Sequence, residues 1–446
     1  PTKPEKFGTS PFTERNGYRK IYDGEESYFD FDPENGFALD VTTGQRAMLI
    51  AAPIDEQDWS WGDEKEFTEQ KDGGIIKLDV ESDPPGRDGP NLPKGGLLEL
   101  CLMGLDAVHF GGEGYMNETA RSFHARSMFT AFQDMSRIIE IPYNKLGRSL
   151  CFNGGNLKIA MGAMGRGPAL AFFSPGQNVI NITKKGAGAL GHEWMHYLDS
   201  QLGYLLEAQM VESGYTGTGN RTIWTGRKAT SGYWYRYHYA SAYCGAFPWR
   251  QMTERLPIRK GNDLVFYDDQ NDEERLITNN VLSSLKHLLE TMYGQASIRK
   301  GTINNFNPSA KGGSTATQYA QDAFVMSKTY RLCPWEMLAR AYEIWLADWM
   351  FDTKPESQKN TYLCNRKWTT MPSKVGIVPK TYYPRAIFGY PQDDYKFMYR
   401  EREYERKKYD RTRIKKAMTR FMGWVAQFYG ICEVPMHNST IDELVN

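Results

Sequence analysis

The segment GALGHEWMHYLDSQLG, carrying His192, Glu193 and His196, constrains this 446-residue chain more than any other. Residues i and i+4 share one face of an α-helix. His192 and His196 can therefore grip one zinc ion, with Glu193 placed to reach a water on that metal. Helical spacing of Leu190, Trp194, Tyr197, Leu198 and either Gln201 or Leu202 supports this geometry, and Gly203 is the expected stop. Upstream, residues 168–183 (PALAFFSPGQNVINIT) read as two extended runs joined by Ser-Pro-Gly-Gln-Asn, a hairpin signal. A Gly-rich joint at 184–188 then feeds the helix. A strand next to a metal-bearing helix is an arrangement in which an extended peptide can add to a sheet edge.

A catalytic zinc needs three protein ligands and an open position. The three-histidine pattern HExxHxxGxxH is absent, because Asp199 holds the glycine place and Leu202 the last histidine place. An acid on a later helix must then supply the third ligand. Glu336, in the first turn of the amphipathic segment PWEMLARAYEIWLADWM, is the best candidate, and Glu343 lies two turns later on nearly the same face. Glu207, Glu212 and Glu290 are weaker candidates. Periodicity alone does not choose between Glu336 and Glu343.

The rest of the chain reads as flanks and insertions around this core. Residues 1–120 form an acidic, loop-rich region with short strands such as 75–80; within it, residues 21–90 hold 19 Asp or Glu against 5 Lys or Arg. Residues 81–96 are dense in Pro and Gly and read as a linker or long loop. The core is expected over 121–350, with helices near 121–140, 279–293 and 334–350 and a polar, aromatic insertion at about 203–275. In that insertion Tyr233, Tyr235, Tyr237 and Tyr239 alternate as on a strand. Residues 351–446 are expected to carry a long helix at 392–429, whose 400–420 section holds ten Lys or Arg and four Asp or Glu. A solvated, charge-laced helix is the default reading there, and nucleic-acid or partner contact the lesser one.

Bulk composition excludes several classes. Net charge is zero, so no global field argues for nucleic acid or membrane. No apolar run is long enough for a membrane span, and PTKPEKFGTS is neither a signal nor a transit peptide. The Pro at position 1 implies a removed initiator or a processed chain. Six scattered cysteines, with no CxxC pair, read as reduced thiols in a cytosolic setting.

Two blocks carry a family resemblance. NVINITKKGAGALGHEWMHYLD, followed far downstream by PWEMLARAYE, resembles the zincin-like domains of large polyvalent proteins of phages and mobile elements. The second block is also similar to the metal-ligand helix of the anthrax lethal factor class of gluzincins. The likeness covers residues 150–203 and 325–365. It implies an α+β fold with a zincin-like core, in which a mixed sheet sets its edge strand beside the HExxH helix. It also implies zinc on His192, His196 and Glu336, Glu193 as general base, and Asp199 orienting a ligand histidine. Tyr330 stands one residue from the place where the lethal factor class carries a tyrosine, which makes it the candidate oxyanion donor. From His196 to Glu336 is 140 residues, far more than in lethal factor, so an inserted subdomain must be looped out.

The expected activity is zinc-dependent peptide hydrolysis, acting on a protein or peptide substrate in the host cytoplasm or the virion, with other phage or virion proteins as candidate partners. The large unmatched flanks motivate the alternative: a virion or assembly protein that keeps a zincin fold as a scaffold.

Overall fold

The computed structural model describes residues 29–32, 37–40, 46–49, 103–110, 118–151, 155–161, 171–175, 177–182, 188–213, 239–241, 255–293, 317, 319–320, 334–353, 360, 362–364, 396–399, 402–405 and 409–433. Tyr233, Tyr235, Tyr237, Tyr330 and the strand expected at 75–80 lie outside them. Within them the protein is mixed α+β. Strands β1 (Phe29–Asp32), β2 (Phe37–Asp40) and β3 (Arg46–Leu49) form an antiparallel meander.

The sheet that positions the site contains β4 (Ala107–Phe110), β5 (Lys158–Met161), β6 (Ala171–Ser174) and β7 (Val179–Ile182), in the order β4-β5-β7-β6. Strands β4, β5 and β7 run parallel, while β6 pairs antiparallel with β7 and forms one end of the sheet. The β6–β7 hairpin is the one the Pro-Gly signal predicts. Its turn is closed by the Gln177 N–H on the Ser174 carbonyl at 3.2 Å. Asn178 follows at φ 50°, a left-handed conformation that Asn tolerates well. All four side chains of β7 are buried, as a strand covered on both faces requires.

Five helices are described: α1 (Glu118–Ile139), α2 (Leu190–Glu212), α3 (Asp272–Tyr293), α4 (Pro334–Thr353) and α5 (Tyr409–Ile431). The main apolar core draws side chains from all of them and from the main sheet. No helix among the described residues is long and apolar enough to cross a membrane. Helix α3 begins seven residues before the periodicity suggested, because Asn271 and Glu274 bond reciprocally to each other's backbone N–H at 3.0 Å and close a capping box.

Two expectations need correction. Gly203 does not stop α2, which runs on to Glu212. Its cost in a helix, about 1 kcal/mol against Ala, is outweighed by the burial of Tyr204, Leu205 and Leu206 just beyond it. The helix expected over 392–429 is instead a hairpin followed by a shorter helix. Strands β10 (Lys396–Tyr399) and β11 (Arg402–Glu405) pair in a register that sets Phe397 opposite Tyr404 and Lys396 opposite Glu405. Helix α5 then buries Ile414, Met418, Phe421, Val425 and Phe428 in the common core. Lys145 Nζ donates to the carbonyls of Tyr429 and Cys432, at 2.7 and 3.0 Å, at the end of α5. The region expected as an insertion also returns to the core. Its hairpin β8 (Ile258–Lys260) and β9 (Asp263–Val265) meets the C-terminal segment through Gly261 N–H on the Glu433 carbonyl at 2.6 Å.

Helix α2 is fastened at its start and along one flank. Gly188, at φ 92°, donates its N–H to the Tyr362 carbonyl at 2.8 Å, and Gly191 donates to the Leu363 carbonyl at 3.0 Å. Trp194 Nε1 donates to the Leu146 carbonyl and the Tyr197 hydroxyl to that of Gly147, each at 3.2 Å. Buried Gln201 accepts from the Ser149 hydroxyl at 2.8 Å and the Leu150 N–H at 3.0 Å. A Cβ at Gly191 would lie 2.7 Å from Leu346 Cδ1 on α4 and 3.2 Å from the Leu363 carbonyl. Gly191→Ala is therefore expected to cost about 1–3 kcal/mol, seen as a lower urea midpoint at unchanged slope. An unchanged midpoint would refute the close approach of α2 and α4.

Candidate metal centre

His192 and His196 stand one turn apart near the start of α2, with ring centroids 4.8 Å apart. Opposite them, α4 begins with Pro334, a residue suited to a first helical position, and places Glu336 within its first turn. Glu336 Oε2 lies 3.8 Å from His192 Nε2 and 3.6 Å from His196 Nε2. All three residues are buried, Glu336 completely. They are the group among the described residues able to hold a metal ion.

The donor set can be tested against an ion. Zinc ligands sit about 2.0–2.1 Å from the metal, which puts tetrahedral ligand atoms roughly 3.3 Å apart. The observed 3.6 and 3.8 Å lie a few tenths above that. Glu336 Oε2 is buried with no hydrogen-bond partner, a costly state for a carboxylate oxygen. A cation between it and the two imidazoles would satisfy all three atoms at once. Two imidazoles and a carboxylate suit zinc well.

Glu343, the other acid on this face of α4, sits on the far side of the His192 ring, its Oε2 3.4 Å from Nδ1. A carboxylate there can accept a hydrogen bond from Nδ1–H, which leaves the Nε2 lone pair for a metal, as partners of ligand histidines do. Between the two acids, Arg340 Nη2 donates to Glu336 Oε1. Glu336, Arg340 and Glu343 thus form one buried stripe at i, i+4 and i+7. Spacing alone shows that these three share a face, and that signal could have singled out Arg340.

Asp199 bonds elsewhere than to a histidine. Its Oδ1 accepts the Ser241 N–H at 2.8 Å, and its Oδ2 accepts the Ser241 hydroxyl. Burial pushes its carboxyl up to about 7, against these hydrogen bonds. The contact holds the 239–241 segment against the site, where the Tyr239 ring lies 5.8 Å from that of His196 and stacks on Trp335 at 5.5 Å. Sequence reasoning did not find this wall, because Ser241 stands 42 residues from Asp199. The weaker ligand candidates are not part of the group: Glu212 is exposed, and Glu207 and Glu290 are half-buried.

The electrostatics follow from crowding acids and imidazoles in a buried space. Burial disfavours the charged form of His192, but Glu336, Glu343 and Glu193 outweigh it and push the ring up to about 10. His196 is pulled down to about 4, chiefly by burial, with the positive His192 adding to the effect. Burial raises Glu193 to about 7, with His192 and a backbone hydrogen bond from Phe173 on β6 acting the other way. Burial opposes the charge of Glu336 too, yet Arg340 and the two histidines hold its carboxyl well below the usual range.

No protein-family model matches this chain, and neither does any curated protein or any solved structure. What the site does therefore rests on its own side chains. A metal ligand must be a neutral imidazole. At pH 7 the metal-free site holds His192 as an imidazolium and His196 as a neutral imidazole, so loading zinc should expel about one proton. Affinity should accordingly rise with pH until His192 loses its proton unaided. Calorimetric titration in buffers of different ionisation enthalpy measures the number, and a value of zero would contradict this arrangement.

Proposed function

We propose that this chain is a zinc-dependent metallopeptidase with a zincin-like core, encoded by a phage or mobile element and acting on a protein or peptide. The observation that carries the reading is the unpartnered Glu336 Oε2 facing Nε2 of both His192 and His196, with Glu193 beside them. The phage or mobile-element origin rests on the likeness of the two motif blocks, and with it a place in the host cytoplasm or the virion.

When bound, zinc supplies Lewis acidity, making a water more acidic and a peptide carbonyl more electrophilic. Glu193 is the general base. Its carboxyl, held near 7 by burial, takes a proton from the attacking water and returns it to the leaving amine. Being adjacent in sequence to His192, it stays at the site without being one of the three ligands. Its tie to Phe173 sets it against β6, the strand at the end of the sheet. An extended substrate paired with that strand would bring a peptide bond past Glu193 with its backbone groups satisfied. Tyr330, four residues before α4, is kept as the candidate donor to the oxyanion.

The test is metal content with peptide cleavage. Purified protein should carry one zinc per chain, removable by a chelator. A denatured protein mixture incubated with it should gain new N-termini that vanish on chelation and return with zinc. Protein without bound zinc would end the proposal. Protein that holds zinc and cleaves nothing would favour the scaffold reading instead.

A further inference from the structure

We propose that Arg340 is a positioning residue that restricts Glu336 to one-oxygen coordination and so keeps one position on the metal open. This rests on the reading of His192, His196 and Glu336 as metal ligands.

The two oxygens of Glu336 have different surroundings. Oε1 is taken by Arg340 Nη2. Oε2 has no hydrogen-bond partner and faces Nε2 of both histidines, at 3.8 and 3.6 Å. Both residues sit on α4 at i and i+4, and both are buried. The guanidinium is thus carried by the same rigid element as the carboxylate it holds. A carboxylate free to turn can present both oxygens to one cation, and with two imidazoles and a water this would make five ligands in place of a four-coordinate shell. A guanidinium on Oε1 prevents that, because its bond is charge-assisted and directional. Three donors then remain, with the fourth place left for water or a carbonyl, as hydrolytic zinc sites require.

Simple charge neutralisation of a buried acid predicts something different. On that account any cation near Glu336 would serve, and the number of ligands on the metal would not depend on which oxygen is engaged. The separation of the two oxygens' roles favours the positional account.

The experiment uses cobalt(II) as the probe in the full chain, since its visible absorption weakens strongly as ligands are added beyond four. The expected results are an intense, four-coordinate spectrum for the unaltered protein, a several-fold weaker one for Arg340→Met as Glu336 swings to two-oxygen binding, and an intermediate one for Arg340→Lys. An Arg340→Met spectrum and cobalt affinity identical to those of the unaltered protein would overturn the proposal while leaving the metal site standing. A weak spectrum from the unaltered protein would overturn it with no variant needed, and an Arg340→Lys spectrum unchanged in intensity would do so if Arg340→Met does not fold. Failure of the unaltered protein to bind cobalt at all would instead overturn the metal reading, and this inference with it.

Discussion

Glu193→Gln is expected, on the proposed peptidase reading, to lower the cleavage rate by about 10²–10⁴-fold, the usual worth of a positioned general base, while zinc stays bound at full occupancy. The amide matches the carboxylate in shape but cannot accept the proton. Glu193 is not among the three ligand residues, so the affinity for zinc has no reason to fall. Folding should suffer little, because burial, helped by Glu336 and Glu343, pushes Glu193 toward its neutral form against the pull of His192. A neutral side chain there removes like-charge repulsion. Cleavage kinetics and metal content measured on the same preparation decide the matter. Unchanged cleavage would remove Glu193 from the mechanism and, with it, the peptidase reading.

Glu336→Ala should have the larger structural effect. Loss of one of three protein ligands should weaken zinc by on the order of 10²–10³-fold, taking roughly equal shares of the binding free energy of a structural site. The change also takes from Arg340, a buried guanidinium, its ion-pair partner Glu336. Breaking such a pair from one side costs about 3–5 kcal/mol, so the metal-free protein should lose stability as well. Glu343→Gln supplies the contrast. It disturbs only the far side of the His192 ring and should cost about 10–100-fold in affinity. Competition titrations against a zinc-binding dye give both numbers. If Glu343→Gln proved the more damaging, the two acids would have exchanged roles.

Local features of the sequence carried the site a long way. His192, Glu193 and His196 follow from helical spacing, the β6–β7 hairpin from Pro175 and Gly176, and the start of α4 from Pro334. Glu336 and Glu343 share a face of α4, so periodicity left the third ligand open; the histidine nitrogen each acid meets depends on how α2 and α4 pack. The misread elements have a similar origin. Gly203 weakens a helix locally, but the burial of Leu205 and Leu206 is a tertiary gain. Residues 392–408 have helix-forming charges, yet a ladder formed there instead. The basic character of α5 concealed its buried face, because Arg413, Lys416 and Arg420 are exposed between core positions. Asp199 is conspicuous in the sequence, but its partner Ser241 is visible only once the chain has folded back.

The fastening of α2 has one more consequence. The helix that carries both histidines is anchored at its first turn to the carbonyls of Tyr362 and Leu363, a stretch that follows the helix carrying Glu336. Backbone bonds and the close approach at Gly191 join these elements independently of the side chains that face the metal site. If the site takes zinc as proposed, chelation is expected to leave the helical content unchanged, unlike the small domains for which binding the ion and folding are one event.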